Sequence, residues 1–252
     1  MDFAGKAVLV TGGSSGIGAA TVKAFADAGA RVVATGRDAV RGRKVCSETG
    51  GSAHFIAGDL ADPRFCDSLV PEAVKRLGRL DVLVNNAGAL YRTAPVDTSA
   101  AQWREMFTVN VDAPFILSVA AVRQMRAQGG GGAIVNVASE LAVVGGKGIG
   151  SYAATKGAIA LLTRSMALDH AEEGIRVNAV CPGEIHTPML ENSVRQRGMT
   201  VEDGLASLAR HVPMKRVARP EEIAATILFL ASDAASFVTG ALLSADGGST
   251  AR

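Results

Sequence analysis

Tyr152 and Lys156 stand four residues apart in GSYAATKGA (150–158), surrounded by small side chains. Four-apart residues share one face of a helix, where a Tyr–Lys pair is often only surface decoration. The same pair can also move a proton. A free phenol titrates near 10, about three units too high for a base at neutral pH. An ammonium one helical turn away favours the phenolate. A drop of about three units corresponds to about 4 kcal/mol of differential stabilisation. Tyr152 is therefore read as a general acid/base and Lys156 as its electrostatic partner. Ser139 ends the strand-like run IVNVASE thirteen residues before Tyr152. A hydrolytic serine would need a histidine partner. His54, His170, His186 and His211 form no such pattern.

Asn110, in MFTVNVDAPF, lies inside a helical pattern spanning 99–128, and Pro114 follows four residues later. A proline lacks the N–H that would bond the carbonyl four residues back. The sequence thus predicts a freed acceptor and a local kink at Asn110. VTGGSSGIG (10–18) places Gly12, Gly16 and Gly18 between a strand-like run and a helical one. Glycines at such a turn let the backbone come close to a pyrophosphate, and the helix N-terminus supplies N–H donors and positive dipole.

The elements around these residues alternate. Apolar, β-branched runs at 6–11, 31–36, 53–57, 80–84, 133–138, 175–181 and 241–245 are separated by helical patterns at 16–30, 38–49, 62–77, 99–128, 151–173 and 220–232. Strands apolar on both faces belong to a parallel sheet covered by helices on each side. The expected fold class is α/β, a doubly wound parallel sheet in three layers, as one domain over 1–252. The stretch 183–219 follows a strand end and has no clear periodicity. Its part at about 184–215 is the expected substrate lid, since ligands of such sheets bind at that edge. In such folds an acid ending the second strand holds a ribose 2′-hydroxyl, whereas an arginine accommodates a 2′-phosphate. Here that end reads Gly36-Arg37, so NADP(H) is favoured and NAD(H) stays open. Asp38 is expected to cap the next helix.

The 252 residues are 48% hydrophobic and 20% charged, with a formal net charge of +2, which gives no nucleic-acid or membrane signature. The first residues run into a strand pattern and do not read as a signal peptide. Cys46, Cys66 and Cys181 are odd in number and far apart, without metal-ligand spacing. The expectation is a cytoplasmic protein with no metal and no disulfide framework.

TGGSSGIG (11–18), NNAG (85–88), Asn110, Ser139, YAATK (152–156) and PGEIHTP (182–188), in that order, resemble the short-chain dehydrogenase/reductase family over essentially the whole chain, up to VTGALLSADGG (238–248). The resemblance implies a seven-stranded Rossmann-type sheet, a homotetramer, and hydride transfer between a nicotinamide cofactor and the carbon of an alcohol or ketone. It assigns catalysis to Ser139, Tyr152, Lys156 and Asn110. Ser139 would bind or polarise the substrate oxygen, Lys156 would also hold the nicotinamide ribose, and the Asn110 carbonyl would hold a relay water. It adds Ser14, Ser15, Ile17, Leu60, Asn86, Ala87, Gly88, Pro182 and Gly183 to the cofactor site. Asp59 would meet the adenine, and Ile185 and Thr187 the nicotinamide carboxamide.

The small-molecule substrate is less defined. Glu140, Tyr91, Arg92, Glu184, His186 and Met189 flank the motifs and suggest a polar, polyol or sugar-like alcohol. A 3-oxoacyl-[acyl-carrier-protein] reductase is the alternative reading. Glu172 and Glu173 put negative charge where such an enzyme often has an arginine, which counts against an acidic carrier. A non-catalytic nucleotide sensor would lack Tyr, Lys or Ser, and none is missing. An epimerase with bound NAD would be a longer chain.

Overall fold

The computed structural model describes residues 1–251. Seven strands form one parallel sheet: β1 Ala7–Thr11, β2 Arg31–Gly36, β3 Ala53–Ala57, β4 Val82–Asn85, β5 Gly132–Val137, β6 Ile175–Pro182 and β7 Leu242–Ala245. Their spatial order is β3-β2-β1-β4-β5-β6-β7. Side-chain alternation along β1 divides the core. Val8 and Val10 join Val22 and Phe25 of α1 (Gly16–Asp27), Cys46 of α2 (Ala39–Ser47) and Ile223 and Ile227 of α9 (Pro220–Ala231). Ala7 and Leu9 face the opposite layer. There Leu69 and Leu77 of α3 (Pro63–Leu77), Leu117 and Met125 of α5 (Ala113–Gln128) and Met166 of α6 (Gly150–His170) pack together. The expected three-layer α/β/α fold is present.

The expected helix 99–128 is not continuous. It divides into α4 (Ala100–Phe107), a π-turn at Thr108–Asp112, and α5. The Ala113 N–H reaches back five residues to the Thr108 carbonyl. Pro114 is the cause, because it offers no N–H to a regular turn and its ring crowds the preceding one. The stretch 100–128 has the length and mean apolarity to cross a bilayer. In this fold Leu117, Ala121 and Met125 are instead fully buried beneath α3 and the sheet.

The sheet order reverses between β1 and β4, and a polar clasp closes this point. The Thr11 hydroxyl accepts from the Asn86 N–H at 2.9 Å and the Ala87 N–H at 3.0 Å, while Asn86 Nδ2 donates to the Thr11 carbonyl at 2.8 Å. Beyond β6, the segment expected as a lid folds into α7 (Pro188–Gln196) and α8 (Val201–His211). Its base is tied to the chain before α9 by Ala218 N–H to the Glu184 carbonyl (3.0 Å) and His186 N–H to the Ala218 carbonyl (2.9 Å).

Candidate active site

A cleft of about 370 Å³ opens at the carboxyl ends of β1 and β4, where a doubly wound sheet binds its ligands. Gly12, Ser14, Ser15, Gly16 and Ile17 form its floor at the first strand–helix turn. Gly12 has φ +67°, and a Cβ there would lie 2.7 Å from Asn86 Nδ2, so only glycine closes this turn. Ser15 sits at the N-cap of α1 without a side-chain cap bond, and the first turn holds no acid. The backbone donors of this helix end therefore remain available to an anion. Arg37, Asp59 and Leu60 line one end of the cleft; Asn86, Ala87, Gly88, Pro182, Gly183, Ile185 and Thr187 continue the wall. Such a cleft, with a glycine turn, open N–H donors and a guanidinium at the end of β2, fits a dinucleotide.

Gly18 departs from its expectation as a lining residue. It lies behind the cleft wall, where a Cβ would strike the Gly12 carbonyl and crowd Asn86 Nδ2. Its role is to let α1 approach the turn closely. Asp38 caps α2 by accepting from the Arg41 N–H at 2.9 Å, and the capping residue of α3 is Asp62, which leaves the Asp59 side chain at the cleft.

Ser139, Tyr152 and Lys156 meet on the opposite wall. Ser139 projects from the end of β5, its hydroxyl accepting from the Leu141 N–H at 3.2 Å. Lys156 is buried, donates to the Val137 carbonyl at 2.8 Å, and lies 5.5 Å from the centre of the Tyr152 ring. Burial pushes the Tyr152 phenol above its ordinary value, and the Ser139 hydroxyl pulls only partly the other way. Burial also brings the Lys156 ammonium down to about 8. Desolvation penalises both charged forms.

Asn110 does not line the cleft. It is fully buried at the π-turn, and its side chain works from behind. Nδ2 donates to the Ala89 carbonyl (2.9 Å) and the Thr155 hydroxyl (3.0 Å), and Oδ1 accepts from the Ala89 N–H (2.7 Å). This side chain fastens the loop after β4 to the helical turn that carries Tyr152 and Lys156.

The expected substrate residues divide. Glu140, Glu184 and Met189 line the cleft. Tyr91 and His186 turn away from it. The Tyr91 hydroxyl donates to Glu105 at 2.6 Å, and exposed His186 meets Glu191 at 3.1 Å. Glu105, itself in the cleft lining, takes the Tyr91 hydroxyl, while Glu191 meets His186 outside the cleft. Arg92, next to Tyr91, takes the inward position, and its Nε donates to the Ser193 hydroxyl of α7 at 2.9 Å. Burial raises the Glu184 carboxyl, while the Arg92 and Arg197 guanidinium groups draw it back. Leu141, Ile149 and Leu190 add an apolar wall. They sit in the short turn after Ser139, at the N-cap of α6 and in α7, where no periodicity marked them.

A family model described as enoyl-(acyl carrier protein) reductase matches residues 12–250. A cis-4-hydroxycyclohexanecarboxylate dehydrogenase of Sinomonas cyclohexanicum is 43% identical over 99% of this chain and 98% of its own. An L-fucose dehydrogenase of Mus musculus is 40% identical over 98% of this chain and 89% of its own. Among solved structures, a candidate NAD(P)-dependent gluconate 5-dehydrogenase from Beutenbergia cavernae, with bound NADP at low occupancy, superposes with a TM-score of 0.92 at 39% identity, covering 100% and 99% of the two chains.

Proposed function

We propose that this chain, which belongs to the short-chain dehydrogenase/reductase family and is an NAD(P)-dependent oxidoreductase acting on hydroxyl groups, interconverts a small polar alcohol and its ketone with NADP(H). The observation that carries this reading is the convergence of Ser139, Tyr152 and Lys156 on one wall of the cleft, opposite the glycine turn. The relatives' named substrates, a hydroxycyclohexane carboxylate, L-fucose and gluconate, support a polar, polyol or sugar-like alcohol. Arg37 at the end of β2 supports NADP(H) over NAD(H).

Gly12, Ser14, Ser15, Gly16 and Ile17 would hold the pyrophosphate, Arg37 the 2′-phosphate, Asp59 and Leu60 the adenine, and Asn86, Ala87, Gly88, Pro182, Gly183, Ile185 and Thr187 the nicotinamide half. The bound cofactor supplies the hydride acceptor in alcohol oxidation and the donor in ketone reduction. Ser139 Oγ holds the substrate oxygen. Tyr152 takes the proton from that oxygen during oxidation and returns it during reduction. Lys156 lends positive charge to the developing phenolate and keeps N–H donors for the ribose. Asn110 positions both through Thr155 and the loop at Ala89. The segment 184–215 covers the substrate end, with Arg92–Ser193 as its tie to the body.

Glu173, in the turn after α6, pairs with Arg126, which engages that guanidinium within the chain and supports the small-molecule reading over the acyl-carrier one. The three cysteines are free and buried, in keeping with a reducing, cytoplasmic setting. Tyr152→Phe tests the chemistry. The expected result is a loss of kcat of about 10²–10⁴-fold with NADPH binding retained. Turnover near the wild-type rate overturns the assignment of Tyr152.

A further inference from the structure

Glu140 opens the short helical turn Glu140–Ala142 directly after Ser139, and its side chain shares the cleft wall with Ser139 and Tyr152. Its Oε2 is buried and meets no donor. Ser249 stands beside the carboxyl, but its hydroxyl donates to the Asp246 carbonyl at 2.9 Å. The ionisable groups facing Glu140 are both acids: Glu184 from the loop after β6, and Asp246 after β7. Asp246 already has donors in the Gly248 and Thr250 N–H groups, each at 2.9 Å. Glu184 lies in the field of Arg92 and Arg197. The Glu140 Oε2 is left without a donor, and no cation faces the carboxyl. Burial, reinforced by the two acids, pushes its carboxyl up to about 7.

A buried acceptor without a donor is costly, and native structures rarely keep one idle. Here the orphaned oxygen belongs to a residue one position from the serine that holds the reacting oxygen. Neighbouring Cα atoms lie about 3.8 Å apart, so both side chains belong to the same part of the cleft wall. We propose that Glu140 accepts a hydrogen bond from a second hydroxyl on the carbon adjacent to the reacting one, so that the enzyme selects vicinal diols, as found in cyclic polyols and sugars, over mono-alcohols. This rests on the oxidoreductase reading above and adds the residue and the hydroxyl pattern it selects. A site built to bond a hydroxyl rejects the analogue lacking it, because the protein group is then left unpaired.

Binding to the enzyme–NADPH complex, followed by NADPH fluorescence, tests this with cis-cyclohexane-1,2-diol and cyclohexanol. The wild type is expected to bind the diol about tenfold or more tightly than cyclohexanol, the worth of a hydrogen bond to a charged group. In Glu140→Leu the ratio falls to within about twofold, and Glu140→Gln, which keeps one weaker acceptor, lies between. A diol-to-cyclohexanol ratio as high in the variants as in the wild type overturns the proposal, as does a wild-type preference for cyclohexanol. If Glu140→Leu fails to bind NADPH, Glu140→Gln decides by the same ratio. NADP⁺ reduction in the same solutions reads the underlying activity separately. Absence of turnover with every alcohol would overturn the function proposed for the chain, while the binding ratio still judges Glu140.

Discussion

Arg37 is exposed at the mouth of the cleft, and Arg41, one turn into α2, lines the same end while held by Asp38 at 2.6 Å. Asp38 is thus committed to its helix and its arginine, which leaves the Arg37 guanidinium to meet a phosphate. Fluorescence titration is expected to show NADPH bound more tightly than NADH. Arg37→Ala should lower NADPH affinity about tenfold, the scale of one charged hydrogen bond, and leave NADH affinity unchanged. Tighter NADH binding by the wild type would reverse the cofactor assignment. Glu140 makes a second prediction, about stability. Its folded-state value, about 7, lies above its ordinary 4.5. Between those values the folded protein holds a proton that the unfolded chain has released, so this residue's contribution to stability falls as pH rises through that window. Glu140→Gln removes the buried charge and should stabilise the protein at pH 8 by about 1–3 kcal/mol, a few degrees in thermal midpoint, with no gain near pH 4. Thermal unfolding at the two pH values checks it; an equal gain at both would mean that packing, not charge, is responsible.

Helix α1 depends on two glycines that act differently. Gly12 turns the chain, and Gly18 brings the helix against that turn. Gly18→Ala should destabilise by about 1–3 kcal/mol and weaken NADPH binding, because the added methyl must push α1 away from the Gly12 carbonyl. Gly157 on α6 is the contrast, since a Cβ there meets nothing within 4 Å of this chain. Thermal unfolding and NADPH titration of the two variants should separate them. The glycine turn, the Tyr–Lys helix and the sheet were legible in the sequence because each is written locally, in a spacing or a period. The π-turn was half legible: Pro114 announced a freed carbonyl at Asn110, but not that the helix would divide in two. The substrate wall was least legible. Whether Tyr91 or Arg92 turns inward is decided by Glu105 and Ser193, residues far along the chain. The isolation of Glu140 depends on Glu184 and Asp246, on two other segments. Gly18 was placed in the right region with the wrong task, because its depth behind the wall depends on how α1 is rotated.

At the scale of the whole molecule, α6 carries a stripe of Ala154, Gly157, Leu161 and Leu168 that this chain leaves facing outward, with Leu161 65% and Leu168 82% exposed. Helix α9 spends Ile223, Ile227 and Leu230 on its own core and leaves Phe229, with Phe237 and Leu243 beyond it, at the outer end of the sheet. Two apolar faces on different sides of one molecule suit the two kinds of contact in a tetramer with dihedral symmetry. Light scattering is expected to give a mass of four chains of 25.8 kDa. Leu161→Asp should shift it towards smaller species, and a monomeric wild type would refute the tetramer. The sheet order also sets a timetable. β1 is made first, yet it lies in the middle of the sheet, and its register with β4 pairs Val8 with Val82. The 74 residues separating them (82 − 8) take about 4–15 s to synthesise at 5–20 residues per second. Throughout that interval the nascent chain carries a largely apolar central strand with one side unpaired, and Thr11 waits for Asn86 to arrive. The clasp that shapes the ligand cleft therefore also marks the moment at which the second edge of β1 is covered.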